Sequence, residues 1–446
     1  MVDLRGRGGG LGLGGLGGVA LARDSGLAAG TGARAEERLS VRALLLVAAL
    51  TCAACHQTEV RPASEWPAAD PALVGAVNLE AGCIEEFDPE IDYFPYKTEF
   101  RRSAQLEVRY HGFYKEVLFT PAVDNKEVLR YALAQCGAPA PPGFPPARVI
   151  QVPIRRFTTG SSSIFSAVTL LEIEDRLAGV PNRFRITEPT IRKLAMEREI
   201  PEVSGGTHSN IELAMAVDPD VHFTFYSAYP EFNLHPKLWE VGVTAFPMAD
   251  HMEMTPLGRS EWVKMLALLT NREARANDWF DKAERDYEVM CTLTADVAHR
   301  PHVLYGTPDS RDFWEVRGDR NYFAQLVRDA GGEYFWERGG ASSWEHAAYE
   351  DALYRSADTI LWVGITGLGG VESVDQLVAN DGRFAWLRPV QMERVYAFDR
   401  GEAGAWSPRW TDQSLDKPDR ALADLVRVIH PEIAVDHEEY FLRPLD

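Results

Sequence analysis

The alternation of apolar and polar residues in the first half of the chain predicts β-strands followed by an α/β domain. Residues 106–121, LEVRYHGFYKEVLFTP, alternate around His111-Gly112, a pattern typical of a β-hairpin. A proline-rich linker, APAPPGFPP, follows at 138–146. Residues 148–157 then predict a short strand, 209–226 a helix, an Asp-Pro-Asp turn and a strand, and 240–248 a further strand. This βαβ order indicates a parallel sheet.

Helical periodicity dominates the middle of the chain. Apart from its Pro-Leu-Gly opening, the segment 256–297 contains no proline and no further glycine, and apolar residues recur at helical spacing. They are Trp262, Leu266, Leu269, Trp279, Phe280, Ala283 and Tyr287. We predict one helix of ~50 Å, from 1.5 Å per residue, that joins two lobes. A break near Thr270-Asn271 is the alternative.

A second βαβ pattern follows the long helix, and a helix, ALADLVRVIHPEI, closes the chain. The predicted fold is α/β, with two Rossmann-like lobes joined by one long rigid helix behind a small N-terminal β-rich extension. The predicted boundaries are 1–55 for a leader and lipoprotein signal, 56–147 for a tether and the extension, 148–258 for the first lobe, 259–298 for the connecting helix and 299–446 for the second lobe.

The N-terminal segment has the layout of an export signal. In VRALLLVAALTCAACHQ, an arginine precedes an apolar run that is too short to span a bilayer and that ends in small residues and a cysteine. Cys52-Ala53-Ala54-Cys55 resembles a lipobox with Cys52 in place of the usual leucine, which predicts lipid attachment at Cys55. An ordinary cleaved signal is the alternative. Val41 is a plausible true start.

Export predicts an oxidising compartment, in which Cys83 and Cys136 are candidates for a disulfide. Cys291 lies in a helical segment and is expected to be a buried thiol. The net charge of −20 argues against nucleic acid and against anionic lipid headgroups as partners. It fits a protein that docks onto a basic surface.

Several stretches together resemble one family. They are SNIELAMAVDPDV, ADHMEMTPLGRSEW, YFAQLVRDAGGEYFW, YEDALYRSADTILWV and LADLVRVIHPE, in this order across residues 150–446. The resemblance is to periplasmic binding proteins whose lobes are joined by a rigid helix and which serve ABC importers of ferric siderophores, haem, cobalamin and some metals. GCIEEFDPEIDYFP and QCGAP look like the extension found in one branch of this class.

The resemblance implies partners and docking residues. Such proteins are monomers that deliver a small molecule to an ABC permease with its ATPase, and each lobe presents one acidic residue to the permease. Carried over, these residues are Glu212 and Glu350. Ala348 replaces the small hydroxyl residue expected two places before Glu350, so Glu345 is the fallback. Read without the resemblance, both glutamates are ordinary residues of a first helical turn.

The ligand cleft is expected between loops at the carboxyl ends of the strands. Aromatic residues there can stack on a planar ligand, and arginines can bind its carboxylate or hydroxamate oxygens. The candidates are Ser161, Ser162, Tyr226, His251 and Glu253 in the first lobe, and Trp314, Arg317, Trp362, Trp406, Arg409 and Trp410 in the second. Packing in the core or at the rim is the alternative for each.

The sequence therefore predicts a lipid-anchored binding protein that faces the periplasm or cell exterior. No cofactor is expected. The ligand would be an iron chelate of the siderophore type, with cobalamin or haem as alternatives. His251 and Glu253 alone do not supply the donors of a bare-metal site. GxSxG, HExxH and Walker A signatures are absent from the sequence, so no enzymatic activity is predicted. A non-transport adaptor of the same fold is the remaining alternative.

Overall fold

The computed structural model describes residues 66–122, 128–204, 210–308, 313–336, 344–365, 371–398 and 409–446. Within these ranges the strands are β1 (Leu106–Tyr110), β2 (Tyr114–Phe119), β3 (Leu129–Gln135), β4 (Val149–Val152), β5 (Phe157–Thr159), β6 (Leu177–Gly179), β7 (Val221–Phe225), β8 (Ala245–Met248), β9 (His302–Tyr305), β10 (Thr307–Pro308), β11 (Phe313–Arg317), β12 (Glu333–Tyr334), β13 (Trp344–Ala348), β14 (Thr359–Ile365), β15 (Val395–Phe398) and β16 (Leu442–Pro444).

Short helices connect most of these strands. They are α1 (Phe165–Leu170), α2 (Pro189–Glu197), α3 (Ile211–Val217), α4 (His235–Glu240), α5 (Pro256–Ser260), α6 (Trp262–Thr270), α7 (Glu273–Thr294), α8 (Tyr322–Asp329), α9 (Tyr349–Arg355), α10 (Val374–Asn380), α11 (Arg388–Gln391), α12 (Arg409–Gln413) and α13 (Pro418–Ile429).

The N-terminal extension forms a four-stranded sheet in the order β1-β2-β3-β4. The predicted hairpin is present: β1 and β2 pair antiparallel around Gly112, whose φ of +73° suits glycine. The chain from 148 to 157 forms two strands rather than one, because Pro153 lacks the N–H that a continuing ladder requires. The first of them, β4, pairs parallel with β3 and so belongs to the extension sheet.

Each lobe contains a largely parallel sheet, as predicted. The first lobe has the order β6-β5-β7-β8, and all its pairs are parallel. The second has the order β12-β9-β14-β15-β16. The chain does not close on a helix: β16 follows α13 and pairs antiparallel with β15. A small antiparallel sheet, β10-β11-β13, follows the carboxyl end of β9.

Two separate hydrophobic cores correspond to the two lobes. One core contains residues of the extension and the first lobe, together with α6, and the other contains the second lobe with most of the buried face of α7. Trp279 on α7 is partly buried and packs against both cores. Ala276, one turn earlier, belongs to the first core, and Phe280 belongs to the second. Helix α7 therefore passes from one lobe to the other.

The expected single helix over 259–297 is wrong, and the alternative of a break at Thr270-Asn271 is right. Asn271 has a φ of +59° and ends α6 with its amide donating to the Ala267 carbonyl. Asparagine tolerates this left-handed conformation better than most residues do. The remaining helix, α7, has 22 residues and is about 33 Å long at 1.5 Å per residue.

A buried ion pair ties the extension to the start of α7. The Lys115 ammonium on β2 contacts the Glu273 carboxylate, and both side chains are 0% exposed. Lys115 also donates to the Leu268 carbonyl and to the Asn271 side chain, both at 2.7 Å. Asn78 donates to Glu273 at 2.8 Å. These bonds satisfy charges that would otherwise be costly to bury.

The extension is also cross-linked internally. Cys83 and Cys136 form a disulfide, with Cα atoms 4.9 Å apart and a sequence separation of 53. The predicted pairing is therefore present. Cys291 is a half-buried free thiol on α7, and burial raises its pKa to about 12. It is less buried than expected.

Candidate functional site

Exposed aromatic side chains lie at the carboxyl edge of the first lobe's sheet. Phe225, the last residue of β7, is 45% exposed, and its ring stacks on the imidazole of His251 with centroids 4.5 Å apart. In the loop after β7, Tyr229 is 57% and Phe232 is 48% exposed. Ligands of α/β proteins bind at this edge of the sheet. The arrangement presents exposed aromatic rings to a ring-containing ligand.

The loop between β5 and α1 places the predicted Ser161 and Ser162 at the same edge, where both are half-buried. The Ser161 hydroxyl lies 3.1 Å from that of Ser163, which donates to Asp250 at 3.0 Å. Asp250 in turn accepts a bond of 3.2 Å from Arg259. The serines therefore begin a polar network.

Arg259 carries that network to the second lobe. Its guanidinium donates to the Ser414 hydroxyl at 2.7 Å and lies 4.8 Å from the ring centre of Tyr322. It is only 5% exposed and forms a buried ion pair with Asp250. Arg259 thus contacts groups of both lobes.

A second contact between the lobes involves Asp412 on α12. Its carboxylate accepts from the Thr187 amide at 2.6 Å and from the Thr187 hydroxyl at 3.1 Å, and Gln413 donates to the Thr187 carbonyl at 2.8 Å. Burial, opposed by these bonds and by a bond from Ser162, raises the pKa of Asp412 to about 6. Asp412 did not emerge from the sequence as a site residue.

Two predicted cleft residues of the first lobe are buried in the structure. Tyr226 is 4% exposed and packs edge-on against Phe119 at 5.4 Å. Glu253 is 1% exposed and accepts bonds from Ser103, from the Ala104 amide and from the Trp262 indole. Burial raises the pKa of Glu253 above its ordinary value. Glu253 thus secures the extension to α6 and does not face a ligand.

Three of the four predicted tryptophans of the second lobe, Trp314, Trp362 and Trp410, are core residues. Trp314 and Trp362 are 0% exposed, and their indole N–H groups donate to the carbonyls of Tyr305 and Gly306 at 3.2 and 2.9 Å. Trp410 is 8% exposed and stacks on Phe398 with centroids 5.0 Å apart. All three side chains pack in the core of the second lobe.

Arg409 lies in a different place from the one expected. Its guanidinium is 4.4 Å from the ring centre of Tyr440 and donates to the Tyr440 carbonyl. It lines a polar pocket of about 650 Å³ between α7, α13 and the segment 437–440. Trp406 and the side chain of Arg317 lie outside the described residues.

Sequence reasoning missed Phe225, Tyr229 and Phe232. The signal was present, because FTFYSAYPEF at 223–232 is unusually aromatic for a strand end and its loop. In the second lobe, Phe313, the first residue of β11, is 45% exposed. Exposure at or just after the carboxyl end of β7 distinguishes the three aromatic residues of the first lobe from Trp314 and Trp362, which are buried.

The two predicted docking glutamates occupy equivalent positions. Glu212 is the second residue of α3 and Glu350 is the second residue of α9. Both side chains are exposed. Each helix leads into an inner strand of its sheet, β7 or β14. The side chain of the fallback residue Glu345 and the lipidation candidate Cys55 lie outside the described residues.

No group of three or more His, Cys, Asp or Glu side chains among the described residues is placed to hold a metal ion. None of the helices described has the length and apolar character needed to cross a bilayer.

Comparisons with known proteins agree with this fold. An uncharacterised lipoprotein of Methanocaldococcus jannaschii is 22% identical over 385 residues, covering 81% of this chain and 94% of that protein. The molybdate-bound periplasmic binding protein MolA of Haemophilus influenzae has a TM-score of 0.52 at 15% identity, over 65% of this chain and 90% of that chain. The periplasmic haem-binding protein HutB of Vibrio cholerae gives 0.46 at 15% identity, over 60% and 97%.

The comparison with protein families covers more than half of the chain. The periplasmic binding protein family matches residues 159–400, which include three of the four strands of the first lobe's sheet, β6, β7 and β8, and the whole of α7. These proteins bind solutes, so the predicted ligand-binding role is confirmed at this level. The chain belongs to the periplasmic binding protein family.

Proposed function

We propose that this protein is the ligand-capturing lipoprotein of an ABC import system and that its ligand is a ferric siderophore or a similar iron chelate. The aromatic surface of Phe225, Tyr229, Phe232 and His251 carries the proposal. Exposed aromatic faces at a sheet's carboxyl edge suit a ligand with rings of its own, such as a catecholate chelate.

The ligand binds to a surface that is largely formed before it arrives. Helix α7 enters both cores, and Arg259 and Asp412 bond across the lobes, so lobe movements are small. The polar network around Ser161 and Ser162 borders the aromatic surface and supplies hydroxyl groups for a ligand's oxygen atoms.

Haem is the second candidate, and the half-exposed imidazole of His251 favours it, because a histidine nitrogen can coordinate haem iron. Cobalamin is a third ring-containing ligand that the same surface suits. A bare metal ion receives no support from the described residues, which hold no cluster of metal-binding side chains.

The lipid anchor is part of the proposal. Cys55 follows an apolar export signal, and the similar Methanocaldococcus protein bears the name lipoprotein. The protein would then stand at the outer face of the cytoplasmic membrane, within reach of a permease that passes the ligand on at the expense of ATP.

The deciding experiment identifies the ligand directly. Mass spectrometry of the purified full chain under native conditions should show a retained mass that matches a ferric chelate. Thermal shift with ferric siderophores, haemin and cobalamin should then raise Tm for one class only. A shift with molybdate or free Fe³⁺ alone would overturn the chelate proposal. No shift with any solute would favour the adaptor alternative.

A further inference from the structure

A line of polar side chains on one face of α7 contacts the extension. Its members are spaced three or four residues apart and are therefore neighbours on the helix surface. They are Glu273, Asn277, Asp281, Glu284 and Glu288. From the first to the last, the line covers about 22 Å of helix at 1.5 Å per residue. The extension therefore follows α7 for about four turns.

The contact at Asn277 lies where α7 still belongs to the first lobe. The Asn277 side chain accepts from the Thr98 hydroxyl at 2.6 Å and donates to the Lys97 carbonyl at 2.9 Å. The preceding residue, Ala276, packs in the first core, whereas Phe280, one turn later, packs in the second. Contacts beyond Asn277 therefore reach the part of α7 that is packed into the second lobe.

The later contacts in the line are ion pairs with two arginines of the extension. The Arg101 guanidinium donates to Asp281 at 2.7 Å and to Glu284 at 2.9 Å. The Arg102 guanidinium donates to Glu284 at 2.6 Å and also pairs with Glu288. Because this stretch of α7 packs in the second core, the two arginines connect the extension to the second lobe.

The backbone that carries these arginines is fixed to the first lobe. The buried carboxylate of Glu261 accepts hydrogen bonds of 2.7–2.9 Å from three successive amides, those of residues 101–103. Lys264 of α6 donates to Glu261 at 2.8 Å and to the Glu99 carbonyl at 2.9 Å. Helix α6 itself packs in the first core. A backbone anchored in one lobe thus holds side chains that pair with the other.

We propose that the loop at 97–103, which we call the brace, fixes the angle between the two lobes and thereby slows release of the ligand. The inference rests on the proposed ligand-capturing function. If the second lobe swings away, α7 has to bend between Ala276 and Phe280, because the helix passes from one core to the other there. Such a bend separates the carboxylates of α7 from arginines whose backbone stays with the first lobe.

The solvent exposure of these ion pairs makes the brace sensitive to salt. The side chains of Arg101 and Arg102 are 41% and 42% exposed, and they share four ion pairs. Each exposed pair is weak and is screened by salt, so the brace depends on the four acting together. The Lys115–Glu273 pair at the start of the line is fully buried and is screened much less. Ionic strength should therefore loosen the brace and leave the attachment of the extension intact.

Spin labels on the two lobes measure the movement directly. The labels replace Met196 of the first lobe and Met392 of the second, which are 41% and 43% exposed, in the full-length protein with Cys291→Ala. R101Q/R102Q should broaden the distribution of label distances, because the backbone bonds to Glu261 remain but the charges that hold α7 are gone. D281N/E284Q/E288Q, which neutralises the partners on α7, should broaden it in the same way.

R109Q/R130Q is the matched control. It makes the same charge change at arginines that are 53% and 52% exposed and that pair inside the extension, with Glu107 and Glu116. Its distribution of label distances should stay as narrow as that of the wild type. No broadening in R101Q/R102Q, or equal broadening in R109Q/R130Q, would overturn the brace.

Stopped-flow release of a ferric tris-catecholate tests the consequence for the ligand. R101Q/R102Q should release this probe about tenfold faster than the wild type, since four weak pairs together amount to about one decade. Raising NaCl from about 0.05 M to about 1 M should speed release from the wild type and leave that of R101Q/R102Q almost unchanged.

The two measurements separate this inference from the proposed function. An unchanged release rate in a variant with broadened label distances would overturn the claim that the brace slows release. If no chelate binds to the wild type, the proposed function fails, and the label distances, which need no ligand, still decide whether the brace holds the lobes.

Discussion

Asp412 of α12 accepts two hydrogen bonds from Thr187 of the first lobe, one from its amide at 2.6 Å and one from its hydroxyl at 3.1 Å. Trp410 on the same helix belongs to the second lobe's core, so this contact spans the two lobes. Because the carboxyl group is buried, its pKa is raised to about 6 in the folded protein.

This pKa predicts a definite pH dependence of stability. The folded-state pKa lies above the ordinary value of 3.8, so protonation stabilises the fold fully below pH 3.8, and this contribution is lost as pH rises through 6. Between pH 7 and 5 the protein should gain about 1 kcal/mol relative to Asp412→Asn, which does not titrate. Denaturant unfolding of both proteins at the two pH values measures the difference. If the unfolding free energies of the two proteins differ by the same amount at pH 7 and at pH 5, the prediction is wrong.

Replacing Lys115 alone should lower the free energy of unfolding much more than replacing Lys115 and Glu273 together. Lys115→Met leaves a buried carboxylate without its partner and should cost about 3–5 kcal/mol. Replacing both residues, in K115M/E273L, removes the uncompensated charge and should recover most of that loss. Chemical denaturation provides the free energies. If the double variant is as unstable as the single one, the charge pair is not the source of the effect.

The exposed aromatic residues at the carboxyl edge of the first lobe's sheet should contribute to ligand affinity. Phe225→Ala removes the ring that stacks on His251 and should raise Kd for the retained ligand about tenfold, since lost stacking and burial amount to about 1–2 kcal/mol. Phe184→Ala, at an exposed aromatic position outside this edge, is the control. Isothermal titration calorimetry compares the two. Equal affinity for both variants would place the ligand elsewhere.

Charge reversal at the docking glutamates should separate transport from binding. In E212R/E350R, uptake of the ligand by cells should fall to background because the permease would meet the wrong charge, while Kd of the purified protein stays within about twofold. E85R/E86R makes the same charge change at exposed positions of the extension and should transport normally. A loss of ligand affinity in E212R/E350R would count against the assignment.

Cys55→Ser should release the protein from the membrane. Without the thiol there is no site for the lipid, so the protein should move from the detergent phase to the aqueous phase of a Triton X-114 extract. Cys52→Ser leaves the attachment residue in place and should remain in the detergent phase. A Cys55→Ser protein that still partitions with detergent would refute lipid attachment at this residue.

Local patterns predicted local structure well. The alternation at 106–121 identified the β1–β2 hairpin, and the βαβ order identified both parallel sheets. Residue type was a poor guide to which tryptophans are buried. Trp314 and Trp362 lie in the core, where backbone carbonyls accept their indole N–H groups, whereas Trp386 is exposed. Contacts between distant residues, such as Lys115 with Leu268, leave no local signal.

Helix α6 is buried in part by the N-terminal extension, so the sequence of the helix depends on the presence of the extension. Each of its nine residues is buried: β4 packs against the helix, Lys264 donates to the Glu99 carbonyl of the extension, and Lys115 of β2 donates to the Leu268 carbonyl. Evolutionary gain or loss of the extension would therefore have to be accompanied by substitutions in α6. A homologue that lacks residues equivalent to 66–152 should carry hydrophilic side chains on the face of α6 that the extension covers here, and pairing its α6 with this extension in a chimera should not restore a tight fit.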